Sequence, residues 1–263
     1  MLIVKIGGGA AINVAGVVDD LAALSEQTVL VHGANAARDR LACALSRPTR
    51  VVTSASGYTS VFSDDDAIDL LMMAYAGLRN KRIVELCQAR GVNAVGLSGL
   101  DGRAVQGRRN SGIRVRDGGK TLLLRDNSGK PTGVNVPLLR LLLDNGYVPV
   151  LTVPIADEDG RAVNSENDDI VAALARALGC GRVVQLIEAP GLLADPADPK
   201  SVVPRVRPDE LAGWEERSEG RFKRKVAGLR KLCADGGPEV VIADGRGPHP
   251  LADALAARGT VIA

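Results

Sequence analysis

Two lysines, two glycine turns and an asparagine–aspartate pair are the residues of this chain whose types and spacing could do chemistry. Leu2-Ile3-Val4-Lys5-Ile6-Gly7-Gly8-Gly9 carries a lysine near the end of an apolar run and follows it with three glycines. A second apolar run, Thr28-Val29-Leu30-Val31, closes on His32-Gly33-Ala34-Asn35. Side-chain-free residues after a buried strand let backbone N–H groups approach an anion, so the pair describes a phosphate cradle. The pattern is neither G-x-x-x-x-G-K-S/T nor G-x-G-x-x-G, and each turn alone is equally a tight strand-to-helix connection. Asn164-Ser165-Glu166-Asn167-Asp168-Asp169 opens an apolar helix. An N-cap with acids at the positive end of the dipole accounts for one aspartate there, not for the whole polar run. Gly220-Arg221-Phe222-Lys223-Arg224-Lys225-Val226 opens a later helix and by itself reads as a solvated basic face. Leu186 to Leu193 and Ile242 to Gly245 each put a turn at the C-terminal end of a strand, the edge where open parallel sheets bind ligands.

The elements that must position these residues follow from periodicity. Apolar runs alternate with helical patterns, the β-α-β signature of a parallel sheet. Strands are predicted at 2–6, 28–32, 94–97, 148–151, 183–186 and 240–242. Helices are predicted around 14–25, 36–46, 64–90, 136–145, 168–178, 218–234 and 250–257, the third opening on Asp64-Asp65-Asp66. Ile113 to Arg116, the turn Asp117-Gly118-Gly119-Lys120 and Thr121 to Arg125 read as a β-hairpin, with another turn at Asn127 to Lys130. No internal repeat or low-complexity linker interrupts the 263 residues.

Composition narrows the class. Hydrophobic residues reach 46% but aromatic ones only 2%, so the core is built from Val, Leu, Ile and Ala. That suits β-branched strands buried between helices, and it leaves no platform for stacking single-stranded nucleic acid. A net charge of +2 implies no nucleic-acid partner. No apolar run is long enough for a membrane span and no signal-peptide pattern opens the chain, so a cytoplasmic protein is expected. Cys43, Cys87, Cys180 and Cys233 form no C-x-x-C pair and read as small buried hydrophobes. With two histidines, His32 and His249, no metal site is expected.

In order, Lys-Gly-Gly, His-Gly, Asn-x-x-x-Asp, Pro-Gly and Gly-x-x-x-x-Lys-Val resemble the amino acid kinase family over nearly the whole chain. The resemblance implies an α/β fold, a three-layer α-β-α sandwich with a mostly parallel central sheet in two lobes. Residues 1–170 would bind the acceptor and dimerise, and 171–263 would bind ATP. Lys5 and Lys225 would neutralise charge on the transferring phosphoryl group, with Asp168 orienting both. Gly8, Gly9, Gly33 and Ala34 would offer backbone N–H groups, and Asn164 would bind near the acceptor. Glu188, Pro190, Gly191, Gly220, Ala243, Asp244 and Gly245 would line the nucleotide site, and Mg2+ would arrive with ATP rather than fill a protein cage. The resemblance implies a carboxylate acceptor, which would already be ionised and so would require no catalytic base.

Gly96-Leu97-Ser98-Gly99-Leu100-Asp101-Gly102-Arg103 with Gly107-Arg108-Arg109 is similar to the branch that phosphorylates α-aminoadipate carried on a small acidic amino-group carrier protein in lysine synthesis. The alternatives are glutamate on the carrier in arginine synthesis, an N-acetylglutamate kinase acting on the free molecule, and a non-catalytic regulatory homologue. Three departures stand out. Ala34 occupies a usual glycine, a substitution that restricts φ. Glu166 replaces the second asparagine of Asn-x-Asn-x-Asp. The family's arginine for the substrate α-carboxylate falls on Val61, beside Tyr58, Thr59 and Ser60.

The segment 103–130 holds Arg103, Arg108, Arg109, Arg114, Arg116, Lys120, Arg125 and Lys130 against Asp117 and Asp126, a surplus of six that exceeds the net +2 of the whole chain. It is a solvated hairpin or a local positive field able to steer an acidic partner. The resemblance assigns Arg103, Arg108, Arg109, Arg114 and Arg116 to the carrier. A homodimer is expected, since no helical extension precedes Lys5.

Overall fold

Side-chain alternation along short, fully buried apolar runs decides the architecture. The computed structural model describes all residues except Ser56, Tyr58, Gly118, Gly119, Glu219 and Asp235, and all side chains of the others except those of Asp117 and Arg221. The first half runs β1 (Leu2–Ile6), α1 (Val14–Ala22), β2 (Thr28–His32), α2 (Asn35–Ala44), β3 (Val51–Thr53), β4 (Thr59–Val61), α3 (Asp65–Leu71), a π-helical stretch (Met72–Arg79), α4 (Asn80–Gln88), β5 (Ala94–Gly99), β6 (Val105–Arg109), β7 (Ile113–Asp117), β8 (Lys120–Leu124) and β9 (Gly129–Val134). The second runs α5 (Val136–Asp144), β10 (Val148–Ala156), β11 (Ala162–Val163), α6 (Asn167–Leu178), β12 (Arg182–Ile187), β13 (Arg205–Val206), α7 (Leu211–Arg217), α8 (Gly220–Leu232), β14 (Glu239–Asp244), α9 (Pro250–Leu255) and β15 (Thr260–Ile262).

Eleven strands make one sheet, in the order β13-β15-β14-β12-β1-β2-β10-β6-β9, with β5 and β11 also on β10. Pairing is parallel except at β14–β15, β10–β11 and β6–β9. Alternate residues of β1 and β2 enter opposite layers. Ile3, Val29 and Val31 join Leu139, Ile170, Leu174, Val226 and Leu229 on one side. Leu2, Val4, Ile6 and Leu30 join Val17, Leu21, Ile83 and Leu251 on the other. This is the expected α-β-α sandwich, and each buried aliphatic side chain adds about 1.5–3 kcal/mol of transfer free energy. Lys5 shares the parity of Ile3, so it faces the layer built by α6 and α8. The boundary expected at residue 170 falls inside α6, and the sheet runs unbroken past it through the β1–β12 pairing.

Three local expectations change. The helix predicted over 64–90 begins as anticipated, with Asp64 accepting from the Ala67 N–H at 2.9 Å, but its middle turns are π-helical where no sequence signal marked them. The segment 103–130 is not a single basic hairpin: β6 and β9 belong to the main sheet, and only β7–β8 stands apart as a two-stranded ribbon. The Gly118-Gly119 part of its expected turn lies outside the described residues. The antiparallel pair β3–β4 was not anticipated. No helix among the described residues is long and apolar enough to cross a membrane.

Candidate active site

The two glycine turns meet backbone to backbone. A Cβ on Gly8 would sit 2.7 Å from the Asn35 nitrogen and 2.8 Å from that of Ala34, and one on Gly33 would sit 2.9 Å from the Gly8 nitrogen. Real Cβ atoms do not approach so closely, which is why these positions exclude side chains. The Ala36 N–H donates to the Gly8 carbonyl at 3.0 Å and locks the turns together. Ala34 has φ −148°, outside the left-handed region that calls for glycine, so the turn does not require one at this position. His32 beneath is fully buried beside Asn80, and burial drives its pKa down to about 3. It stays neutral and props the turn.

Lys5 Nζ donates to Asp168 Oδ1 at 2.5 Å, joining the β1 end to the first turn of α6. Lys225 enters from α8, which approaches α6 closely because Gly228 has no side chain: a Cβ there would lie 3.0 Å from that of Asp168. Burial alone would raise the Asp168 carboxyl, but Lys5 and then Lys225 overcome it and hold the group below the usual carboxylate range. Desolvation, followed by the Lys5 charge, lowers Lys225 to about 8, and Asp168 limits the fall. The result is a buried carboxylate that Lys5 contacts and whose charge also acts on Lys225, at the mouth of the glycine cradle.

A cleft of about 320 Å³ opens on this cluster. Of the residues predicted for the site, Lys5, Gly8, Gly33, Asn164, Asp168 and Lys225 line it together. Ser165 Oγ and Asn167 Oδ1, also in its wall, are buried without a hydrogen-bond partner, so the wall has polar capacity that a bound molecule would satisfy. Asn164 is clamped. Its N–H donates to the Asn127 carbonyl and its carbonyl accepts from the Gly129 N–H, both at 2.8 Å. Its side chain donates to Ser63 Oγ at 3.0 Å.

The other predicted residues lie outside that cleft. Glu188, Pro190 and Gly191 follow β12; Asp244 ends β14 beside it, opposite Ile187, and Gly245 follows. They share the carboxyl edge of two adjacent parallel strands. Glu188 folds back to accept from the Ala11 N–H at 2.7 Å and packs against Gly9. Asp244 is held by a two-pronged pair with Arg246, which lowers its carboxyl. Ala243 is fully buried and contributes packing only through its side chain; Gly191 abuts Thr260, and Gly220 starts α8 at φ +55°, a glycine conformation. Of the basic residues, Arg103, Arg108, Arg114 and Arg116 are exposed. Arg109 instead turns inward, bonded to Asp157 at 3.0 Å and to Asn127, an arrangement its place in a basic run did not foreshadow.

Sequence reasoning missed Asn35, Arg38 and Tyr75. All three line the cleft, and the Tyr75 hydroxyl donates to Asn35 Oδ1. Tyr75 sits in the unsignalled π-helical stretch, and burial raises its hydroxyl to about 12. Thr59, Ser60 and Val61 of β4 form an uncharged wall.

A family model for the amino acid kinase family matches residues 1–244. The chain belongs to this family. Relatives along the full length include the LysW-aminoadipate kinases of Deinococcus radiodurans, 41% identical over 100% of this chain and 91% of that protein, and of Thermus thermophilus, 40% identical over 100% of both. The acetylglutamate kinase of Methanopyrus kandleri is 33% identical over 100% of both. Among solved structures, Giardia carbamate kinase superposes with a TM-score of 0.68 at 13% identity, over 100% of this chain and 98% of its own, a likeness of fold alone. The amino acid kinase assignment makes the chain an ATP-dependent phosphotransferase.

Proposed function

We propose that this amino acid kinase transfers the γ-phosphoryl group of ATP to the side-chain carboxylate of α-aminoadipate held through its amino group on a small acidic carrier protein, in lysine biosynthesis. The observation that carries the reading is the meeting of Lys5, Asp168 and Lys225 beside the Gly8–Gly33 cradle, in a chain about 40% identical to kinases named for that substrate. The acceptor oxygen is already anionic, so the site needs no proton acceptor. It needs two negatively charged partners brought together and the charge of the transferring group offset. Lys5 and Lys225 do the offsetting, Asp168 aligns them, and the turn N–H groups donate to the phosphoryl oxygens. Asn164, Ser165 and Asn167 supply polar contacts to the acceptor.

In this reading the nucleotide binds at the edge formed by Glu188 to Gly191, Asp244 and Gly245, with Gly220 and Lys225 of α8 completing its site. Among the described residues no cluster of three metal-ligating side chains forms. In this reading Mg2+ rides on the phosphates. The two lobes divide near residue 170, acceptor side before and nucleotide side after. The exposed Arg103, Arg108, Arg114 and Arg116 face the carrier. A cytoplasmic homodimer completes the proposal, supported by exposed Met72, Met73 and Leu78 along one helix.

Free N-acetylglutamate is the second reading, favoured by the Methanopyrus relative. A coupled phosphorylation assay with carrier-bound aminoadipate, carrier-bound glutamate and free N-acetylglutamate decides between them. Turnover of the free acid alone would reject the carrier.

A further inference from the structure

Among the described residues, four cations line the cleft: Lys5, Arg38, Arg224 and Lys225. Lys5 is bonded to Asp168, and Lys225 belongs to the same cluster. Arg224 is paired across the cleft wall with Glu166 at 2.5 Å. Arg38 is different. It stands one turn into α2, next to Asn35 and Tyr75, and its side chain is only 11% exposed. Its recorded partner is its own neighbour Asp39, which is 54% exposed and receives Nε and Nη2 on one oxygen. A partner that is itself half in water holds a guanidinium weakly. Nη1 takes no part in it, and a guanidinium has five donors in a planar fork. A nearly buried, incompletely used arginine in a cleft wall is matched to an anion that enters from solution.

The acceptor proposed above has such an anion. α-Aminoadipate joined through its amino group keeps both carboxylates. One receives the phosphoryl group, and the other enters the cleft with its charge intact. The β4 wall of Thr59, Ser60 and Val61 offers that charge no counterion. We infer that Arg38 binds the carboxylate that is not phosphorylated, with Asn35 and the Tyr75 hydroxyl fixing the shape of the pocket around it. This deepens the carrier-linked reading and rests on it.

The test is a two-by-two cycle. The protein is wild type or Arg38→Gln. The ligand is the carrier bearing aminoadipate, or the same carrier bearing 5-aminopentanoate, which lacks only the second carboxylate. Titration calorimetry gives Kd and the coupled assay gives KM for each. Wild type should prefer aminoadipate by roughly ten- to a hundred-fold, the scale of a charge-assisted hydrogen-bonded pair. Arg38→Gln should lose most of that preference, with the loss in the acceptor's KM and not in that of ATP. Thermal melting confirms that the variant is folded, and Arg38→Lys should restore part of the preference. If Arg38→Gln keeps the wild-type preference, or wild type shows none, the assignment of Arg38 is wrong while the carrier reading stands. If wild type binds neither loaded carrier, the reading itself fails and takes the inference with it.

Discussion

The Lys5–Asp168–Lys225 cluster and the β7–β8 ribbon are both basic, yet they sit in opposite electrostatic regimes. In the cluster, Lys5 is 11% exposed and a single carboxylate serves two ammonium groups, so each charge perturbs the others. On the ribbon, Arg114 and Arg116 are exposed to water, with Leu122 and Leu123 also at the surface. A buried charge acts over a few ångströms and is barely screened. An exposed one acts over about a Debye length, roughly 10 Å at 0.1 M salt. The first suits stabilising a transition state, and the second suits steering a partner. The same residue type therefore predicts different chemistry according to where the fold leaves it.

The sharpest way to break this contrast is to remove one buried charge. Lys5→Ala and Lys225→Ala should each lower kcat by about 10²–10³-fold, some 3–4 kcal/mol of transition-state stabilisation, with the melting temperature nearly unchanged. Near-normal turnover in either variant would remove that lysine from the mechanism.

Asp168→Asn should cost somewhat less, about 2–3 kcal/mol, the range of a hydrogen bond to a charged group. It should also move the pH profile. Lys225 titrates at about 8 with the carboxylate present, and the carboxylate raises it. Without that charge its pKa falls, and a lysine loses its proton as pH climbs through its pKa. The alkaline limb of the rate should therefore shift to lower pH. An unmoved limb would mean that Lys225 is not the group titrating there.

Arg114→Glu with Arg116→Glu tests the other side of the comparison. Carrier-dependent kcat/KM should drop about ten-fold at low salt, and the difference should shrink toward 1 M, where the Debye length is about 3 Å. Equal values for wild type and variant at low salt would make the ribbon a solvated surface only.

Ser63→Ala is the mildest. It removes the acceptor of the Asn164 side-chain bond, and Ser63 is itself buried next to Asp126. The expected loss is about 0.5–1.5 kcal/mol, seen in the acceptor's KM. An unaltered KM would show that Asn164 is held by its backbone clamp alone.

Much of this was legible before any fold was known. Leu2 to Ile6 announces a fully buried strand and Gly8 and Gly33 announce close backbone approach, because both properties belong to a few consecutive residues. The residues that closed the cleft were not legible. Tyr75 reaches it from a π-helical stretch whose composition resembles any helix, and Arg38 looks like one more solvated charge on α2. Arg109 misled in the other direction. Its basic neighbours suggest a surface, while Asp157, 48 residues away, draws it inward.

What the sequence by itself determined was the alternation of strands and helices, the two glycine turns and the burial of aliphatic strands between helices. Each of these follows from local backbone geometry and side-chain alternation. Only the tertiary structure decided which charges meet. β12 pairs with β1, and β2 with β10, far from their order in the chain. That ordering sets Asp168 against Lys5 across 163 residues and fastens Asn164 between Asn127 and Gly129. Such contacts depend on how packed layers fit, a property no short window of residues contains.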